Sequence, residues 1–405
     1  MSNRQLHILC ISRYFKGNDF LRSAHEAGHI VYLLTSKKLE HEPWAKESLE
    51  DIFYMVEDEY GRWNHEHLVG GLAHKMRAVK FDFFVALDDF DVEHVAFLRE
   101  YFRIPGMGET TARYFRDKLA MRIKSKTSGI PVPAFTNLFH DSDIHAFVAE
   151  NDAPWLIKPR MQASATGIQK IHSKDDLWSA LDRLGGERHE YLVEKFAPGD
   201  VYHVDSLYFN GKKIFNQVSR YLATPFEVAH GGGVFRSITL DNDDPDKQAL
   251  IDLNEDVMHA FGMQYSASHS EFIKNHQTGD FYFLETASRV GGAHLAEMVE
   301  ASTGINLWKE WAKIEIAQCL GQKYVLPKIR QENAGIIVSL SKYEKPDLSS
   351  FEDKEIVWKL DKKHHVGMIL QSKNRNKILT LLDKYAERIK NEFHAALPTP
   401  NRPTS

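Results

Sequence analysis

Short apolar runs alternate with helical patterns along the first part of the chain. The runs at residues 6–11, 30–34 and 81–87 predict strands, and the patterns at 20–28 and 92–101 predict helices. Strands that alternate with helices favour a parallel sheet, so residues 1–115 are predicted to form an N-terminal α/β domain. The first strand-to-helix turn contains no G-x-G-x-x-G sequence, and no dinucleotide site is predicted there.

Residues 116–196 are predicted to form linker helices and a small lid subdomain. The prolines at 131 and 133 end a helix and begin an extended segment, because proline cannot continue a helix and disfavours helical geometry in the residue before it. The predicted elements are a linker helix at 117–127, strands at 155–158, 168–172 and 191–196, and a helix at 174–184.

Residues 197–325 begin with two apolar strands that flank Asn210-Gly211, the strongest short signal for a β-hairpin. The elements predicted here are strands at 201–209, 212–218, 267–275 and 281–289, a helix at 247–261 and a helical stretch at 293–320. This part is predicted to be the core of the protein.

The C-terminal residues 326–395 are predicted to form a small α/β cap. Its predicted elements are strands at 335–340, 356–359 and 366–371 and a helix at 375–392. The Pro-containing residues 396–405 are predicted to be a disordered tail.

Composition narrows the class of protein. The 405 residues are 43% hydrophobic and 26% charged, which is typical of a globular protein. The net charge of −5 gives no overall attraction to nucleic acid or to an anionic membrane. The two cysteines cannot form a disulfide framework, and no apolar run approaches the ~20 residues of a membrane span. These features predict a soluble cytoplasmic protein.

Two glutamates are predicted to face each other across a hairpin. If the loop 276–280 closes a hairpin with Asn275 opposite Phe281, Glu271 lies opposite Glu285. Facing carboxylates repel, and a bound divalent cation or an arginine would remove that cost. Solvated glutamates on an exposed face are the alternative, which the apolar residues of both strands disfavour.

The same register predicts two neighbours of this pair. His269 lies opposite Ala287 on the face that carries the glutamates. Arg289 projects to that face as well if its strand remains extended.

A second group of residues suggests a phosphate site. Lys158 ends an apolar strand, and residues 159–167 after it are mostly small or polar. Such a loop can approach phosphates closely and donate backbone N–H groups, although surface loops often have this composition too.

The order of the motifs resembles the ATP-grasp superfamily over about residues 1–320, and within it the biotin-carboxylase-like and L-amino-acid-ligase-like branch. The motifs are Arg116-Asp117-Lys118, Gly129-Ile130-Pro131-Val132-Pro133, Lys158-Pro159, Glu194-Lys195-Phe196-Ala197-Pro198-Gly199-Asp200, Glu271, and Glu285-Thr286-Ala287-Ser288-Arg289-Val290-Gly291-Gly292. The resemblance implies an N-terminal Rossmann-like domain, a small lid, a central ATP-binding domain with an antiparallel sheet, and a C-terminal cap.

The resemblance also implies ATP and Mg²⁺ as cofactors, with Mn²⁺ as an alternative cation. The implied ATP-binding residues are Lys118, Lys158, Ser164, Thr166, Gly167, Glu194, Lys195, Phe196, Ala197 and Asp200. Glu271 and Glu285 are the implied metal ligands, and Arg289 and Lys158 the implied catalytic residues. The implied substrate contacts are His230, Arg289, Gly291, Gly292 and His294, and for the two histidines a solvated role is an open alternative.

Three positions depart from the family pattern. Ala287 stands where the family has a metal-binding Asn, so one ligand is missing unless His269 or water replaces it. Asp200 is a shorter substitute for a ribose-binding Glu, and Gly167 is the one glycine of the phosphate loop.

The implied activity is an ATP-dependent ligase that activates a carboxylate as an acyl phosphate and transfers it to an amine, with amino acids as the predicted substrates. A carboxylase or purine-pathway type of ligase is the first alternative, and a non-catalytic nucleotide-binding protein, favoured by Ala287, is the second. Trp308 and Trp311 lie one helical turn apart and favour either core packing or a homodimer interface.

Overall fold

The computed structural model describes residues 4–59, 61–163, 165–231 and 233–395. The predicted disordered tail, residues 396–405, lies outside the described residues. In the described part of the chain, no helix combines the length and the apolar composition that crossing a membrane requires.

The N-terminal unit is a parallel four-stranded sheet with helices packed on it, as the alternation of strands and helices predicted. The strands are β1 (His7–Ser12), β2 (Ile30–Ser36), β3 (Asp51–Met55) and β4 (Phe83–Ala86), in the order β3-β2-β1-β4, and the helices are α1 (Asn18–Glu26), α2 (His65–Met76), α3 (Val92–Phe102) and α4 (Glu109–Arg113). Strand β3 and helices α2 and α4 were not predicted. Strand β3 is a partly exposed edge strand, and α2 contains two adjacent glycines, which weaken a helical pattern.

The segment predicted to be a lid contains a second, antiparallel four-stranded sheet with its own core. Helix α5 (Lys118–Thr127) precedes this unit and lies outside its core. The elements of the unit are β5 (Phe135–Asn137), α6 (Asp141–Glu150), β6 (Trp155–Pro159), β7 (Gln169–Ile171), α7 (Lys174–Leu184) and β8 (Tyr191–Lys195), with strand order β5-β8-β6-β7. Apolar residues of α6 and α7 pack on one face of this sheet. The sheet therefore forms a compact body, which we call the lid sheet.

The central sheet has eight antiparallel strands. They are β9 (Gly199–Phe209), β10 (Lys212–Tyr221), β11 (Phe235–Thr239), β12 (Ser266–Asn275), β13 (Phe281–Ala287), β14 (Asn333–Leu340), β15 (Ile356–Lys359) and β16 (His365–Ser372), in the order β13-β12-β9-β10-β11-β14-β16-β15. The hairpin predicted at Asn210-Gly211 is confirmed, and both residues have positive φ, 54° and 70°, as type I′ turns require. The C-terminal strands extend this same sheet through β11 and β14.

Helices α9 (Pro245–Phe261), α10 (Leu295–Thr303), α11 (Leu307–Cys319) and α12 (Arg375–Glu392) pack on the central sheet, and the short helix α8 (Pro225–Gly231) lies between β10 and β11 in the chain. The helical stretch predicted at 293–320 consists of two helices, because Gly304 ends α10 in the left-handed conformation and Asn306 caps α11. Helix α9 covers one face of β9, β10 and β12, while α10 and α11 cover parts of the other face. Another part of that second face is the floor of the site described next.

Candidate active site

A cavity of ≈ 550 Å³ lies between the lid sheet, the central sheet and the segment that follows β4, a size typical of small-molecule sites. Ten residues with predicted roles line it: Lys118, Lys158, Thr166, Glu194, Phe196, Ala197, Glu271, Glu285, Arg289 and Gly292. The described residues Gly167, Lys195, Asp200, Gly291 and His294 lie outside this lining. The predictions for Ser164 and for the side chain of His230 fall outside the described residues.

One face of the central sheet forms the floor of the cavity, because side chains alternate between the two faces of each strand. The residues that face α9 include Tyr202, Val204, Val218 and Phe272. The alternate residues that face the cavity are His269, Glu271 and Ile273 on β12, Val201 on β9, Tyr221 on β10 and Phe235 on β11. Polar groups therefore cluster on β12, and apolar groups surround them.

The predicted pairing of the two glutamates is confirmed. Glu271 lies opposite Glu285, and His269 lies opposite Ala287. The predicted register at the loop is wrong, however, since Lys274 rather than Asn275 pairs with Phe281.

A β-bulge reconciles the two registers. Glu271 pairs with Glu285 and Phe272 pairs with Phe283, so Leu284 is an extra residue in β13 without a partner in β12. The bulge shifts the register by one residue, and this shift brings the two carboxylates opposite each other.

Each glutamate has its own partner in the structure. Lys118 Nζ lies 2.7 Å from Glu285 Oε2 and also donates to the carbonyl oxygen of Gln162 at 2.6 Å. The hydroxyl of Tyr221 donates to Glu271 Oε1 at 2.8 Å, and His269 Nε2 lies 3.7 Å from the same oxygen. The repulsion expected between the carboxylates is therefore partly offset without a bound cation.

The arginine that was expected on the glutamate face points elsewhere. Strand β13 ends at Ala287, so the condition of an extended strand fails for Arg289. Arg289 Nε donates to Asp89 Oδ1 at 2.9 Å, and Arg116 Nη1 donates to the other oxygen of Asp89 at 2.9 Å. Burial opposes the charge on Arg289, but Asp89 and the neighbouring Asp88 raise the pKa of its guanidinium above the usual value. The two arginines thus tie the central sheet and the linker to the N-terminal unit.

Behind the glutamates lies a buried chain of hydrogen bonds. The carboxylate of Asp205 accepts from His203 Nδ1 at 2.7 Å and from His269 Nδ1 at 2.8 Å. His203 Nε2 contacts Ser237 Oγ at 2.8 Å. Burial disfavours a charged His269, but Asp205 and Glu271 outweigh it and raise the pKa of His269 to about 9. Burial likewise opposes ionisation of Asp205, yet the two histidines hold the pKa of its carboxyl well below the usual value.

Sequence reasoning missed His203 and Asp205 as members of this group. Both lie on β9, where they alternate with the apolar residues Tyr202 and Val204. Buried polar residues that alternate with apolar ones were the available signal. The same group explains Gly291, since a Cβ there would lie 2.8 Å from Asp205 Oδ1 and 2.9 Å from His269 Nδ1.

At the other end of the cavity, a carboxylate is enclosed by two cations. Glu194 pairs with Lys158, and its Oε2 accepts from Arg122 Nη2 and Nε at 3.0 and 3.1 Å. Burial opposes the ionised carboxyl, but Arg122 and Lys158 lower the pKa of Glu194 below its usual value. The pKa of Lys158 is also lowered, because burial outweighs the effect of Glu194.

Arg122 is a site residue that the sequence did not reveal. It is 1% exposed and belongs to α5, whose other basic residues are half-buried (Lys118 and Lys124) or exposed (Lys126). Its Nη1 donates to the carbonyl oxygen of Leu284, the bulge residue of β13. Arg122 therefore links Glu194 of the lid sheet to the strand that carries Glu285.

The remaining predicted residues have contacts of their own. Thr166 is buried, and a Cβ at Gly167 would meet Pro159 at 2.9 Å, so Gly167 packs closely against Pro159.

The adenine-side and substrate-side residues have other partners. The ammonium of Lys170 lies 3.7 Å from the centre of the Phe196 ring. Asp200 forms long ion pairs with Arg220 and His276 at 3.7 and 3.6 Å, and His294 contacts Glu297 and packs on Trp358.

A small antiparallel sheet over a large antiparallel sheet is the arrangement predicted for an ATP-grasp fold. Comparison with solved structures confirms the predicted fold. The solved L-amino acid ligase from Bacillus licheniformis superimposes with a TM-score of 0.72 at 15% identity, over 97% of this chain and 99% of that one. N5-Carboxyaminoimidazole synthetase from Staphylococcus aureus gives a TM-score of 0.71 at 16% identity, over 96% and 99% of the two chains.

Among curated proteins, the chain is similar to the L-arginine-specific L-amino acid ligase of Bacillus subtilis. The two are 31% identical over 242 residues, which is 58% of this chain and 58% of that protein. The chain therefore matches little more than half the length of this relative. No family model matches the chain.

Proposed function

We propose that this protein is an ATP-dependent ligase that joins a carboxylate to an amine through an acyl phosphate, with amino acids as its substrates. The observation that carries the proposal is the pair Glu271 and Glu285 on the cavity floor, with Lys118 and Lys158 at the lid side of the same cavity. The similarity to an amino-acid ligase supports the choice of substrate class.

The facing glutamates suit a hard divalent cation. Both carboxylates line the cavity, and Mg²⁺ usually binds one or two carboxylates together with nucleotide phosphates. Bound there, Mg²⁺ would offset the charge of the phosphates during phosphoryl transfer. ATP and Mg²⁺ are therefore the proposed cofactors.

The two lysines supply positive charge to the phosphates. Lys118 and Lys158 are now paired with Glu285 and Glu194. Both ammonium groups line the cavity, so a polyphosphate can compete for them without refolding of the chain. Closure of the lid sheet would bring the loop after Lys158 over the phosphates and exclude water.

Arg289 is the proposed contact for the reacting carboxylate. Its Nε is held by Asp89, so the guanidinium has a fixed orientation at the cavity wall. A fixed cation at this position would stabilise the negative oxygen that develops when the amine attacks the acyl phosphate.

The substrate end of the cavity is partly apolar. Tyr221, Phe226, Phe235 and Leu295 line the wall next to Glu271. Apolar surface there would contact the aliphatic or aromatic part of an amino-acid substrate, while Arg289 would bind its carboxylate.

A carboxylase or purine-pathway type of ligase is the second candidate, and the likeness to N5-carboxyaminoimidazole synthetase favours it. The two candidates differ in the acid that is activated. Release of ADP should depend on amino acids for the proposed ligase, and on bicarbonate or formate for the second candidate. A product assay by mass spectrometry separates them.

The test of the proposal is ADP release with a pool of amino acids, for the wild type and for Lys158→Met. Loss of one preorganised contact should lower turnover about 10²–10³-fold while the fold is retained. Lys174→Met is the matched control, because Lys174 is an exposed lysine on α7 of the same lid. Release of ADP at the background level with every acid tested would refute the proposed ligase.

A further inference from the structure

One imidazole on the cavity floor has the environment of a metal ligand. His269 Nδ1 lies 2.8 Å from Asp205 Oδ1, and both side chains are buried. Histidines that bind metals almost always donate their other ring N–H to a carboxylate or carbonyl, which fixes the ring and its tautomer. Asp205 thus holds the Nδ1 proton and directs Nε2 of His269 away from itself.

The second nitrogen of His269 faces Glu271. Nε2 lies 3.7 Å from Glu271 Oε1 and 3.5 Å from the Tyr221 hydroxyl. Both distances are long for hydrogen bonds. Atoms bound at about 2.1 Å from a metal lie about 3 Å apart at right angles, so Nε2 and Oε1 would approach each other by less than about 1 Å on binding one ion.

The opposite strand lacks a ligand at this place. Ala287 pairs directly with His269 and presents only a methyl group. Glu285, two residues before Ala287, lies on the same face. The two glutamates alone would give the ion two protein ligands, and His269, two residues before Glu271 on the same face of β12, offers a third.

We propose that His269 Nε2 binds the divalent cation together with Glu271 and Glu285, and that the resulting nitrogen and oxygen ligands favour Mn²⁺ over Mg²⁺. This inference rests on the proposed function, which brings the nucleotide and its cation to these glutamates. Imidazole suits transition metals better than it suits Mg²⁺, which strongly prefers oxygen. Only the neutral ring binds a metal, so the ion must displace the proton on Nε2.

The experiment detects the atoms bound to the ion directly and does not depend on enzymatic turnover. The full chain is loaded with Mn²⁺ and ADP and studied by pulsed electron paramagnetic resonance. A bound imidazole should give a ¹⁴N coupling that changes when histidine is labelled with ¹⁵N. Absence of this coupling in the wild type would overturn the inference, and this arm needs no variant that might fail to fold.

Two variants identify the nitrogen. In His269→Gln the coupling should disappear, and affinity for Mn²⁺ should fall at least tenfold, with a smaller loss for Mg²⁺. His276→Gln is the matched control, because His276 also lines the cavity but lies beside Asp200, and the coupling should persist. A coupling that survives in a folded His269→Gln protein, or equal losses for the two metals, would contradict the inference.

The outcomes separate this inference from the proposed function. An imidazole coupling without ADP release from any amino acid would refute the ligase and retain the metal site. Amino-acid-dependent ADP release without the coupling would retain the ligase and refute the role of His269.

Discussion

The two ends of the cavity are built in different ways. At the end proposed to hold the metal, which we call the metal end, Glu271, Glu285 and His269 lie on two adjacent strands of one sheet, and their spacing follows from the register of those strands. At the end proposed to hold the nucleotide, which we call the nucleotide end, Glu194 and Arg122 come from the lid sheet and from α5, and they meet only when these pack together.

The difference also affects how each end can respond to a ligand. At the metal end, Asp205 is fully buried and accepts hydrogen bonds from two histidines, which fixes their positions. At the nucleotide end Lys158 pairs with Glu194, and Lys118 reaches Glu285 at the metal end, so a bound polyphosphate would compete for both lysines. We expect the metal end to remain in place on binding, while the lid side rearranges.

The largest expected effect is at the metal end. Glu285→Gln should weaken Mg²⁺-ATP binding and lower turnover about 10³-fold, because a ligand for the cation is lost. Relief of carboxylate repulsion should contribute little, since Glu285 already pairs with Lys118. The free energy of unfolding without ligand should therefore change by less than about 1 kcal/mol.

Thermal melts with and without Mg²⁺-ATP measure both effects of Glu285→Gln. Glu255→Gln is the control, because Glu255 pairs with Lys213 outside the cavity. Ligand stabilisation that is fully retained in Glu285→Gln would exclude Glu285 as a metal ligand.

A smaller effect is expected for the residue that joins the two ends. Arg122→Met leaves the buried Glu194 with Lys158 alone and removes the donor to the Leu284 carbonyl. Breaking a buried charge pair should lower the free energy of unfolding by about 3 kcal/mol and raise the KM for ATP. Urea unfolding and initial rates measure these quantities.

Arg122→Lys provides the companion variant. It keeps a cation near Glu194 but cannot make all three contacts of Arg122, so we expect an intermediate loss of stability. Wild-type stability in Arg122→Met would mean that Arg122 does not connect the two ends.

A further test concerns the hydrogen bond between Asp205 and His269 behind the proposed metal site. In Gly291→Ala, the new Cβ would lie 2.8 Å from Asp205 Oδ1, so the Asp205–His269 pair must shift. We expect Mn²⁺ affinity to fall about tenfold while ADP affinity without metal is retained. Gly292→Ala should keep the Mn²⁺ affinity, because a Cβ there meets no atom within 4 Å. Equal Mn²⁺ affinities in the two variants, measured by calorimetry, would show that the Asp205–His269 pair does not affect metal binding.

The smallest expected effect is measured on the wild-type protein by adding ATP and Mg²⁺. Amide hydrogen exchange at residues 160–168 should slow when ATP and Mg²⁺ are added, because the lid closes over the phosphates. Exchange in β12 and β13 should change less, since these strands are already paired in the central sheet. Unchanged exchange at 160–168 at saturating nucleotide would count against lid closure.

Local patterns in the sequence determined much of this protein. Alternation of strands and helices predicted the N-terminal sheet, and Asn210-Gly211 predicted a hairpin because few other pairs accept two positive φ angles. The period of two along β12 and β13 placed Glu271 and Glu285 on one face. These properties depend on neighbours along the chain, so the sequence alone was sufficient to predict them.

Only the tertiary structure decided which charged groups meet. Loop length alone predicted the wrong strand register next to the 276–280 loop, and the bulge at Leu284 shifts that register by one residue. Arg289 pairs with Asp89 because β13 ends two residues before it. Arg122 and Asp205 are buried by elements distant in sequence. A buried charge needs a partner from whichever element packs against it. Spacing along the chain cannot reveal that partner, since it depends on how the lid, the linker and the central sheet pack in three dimensions.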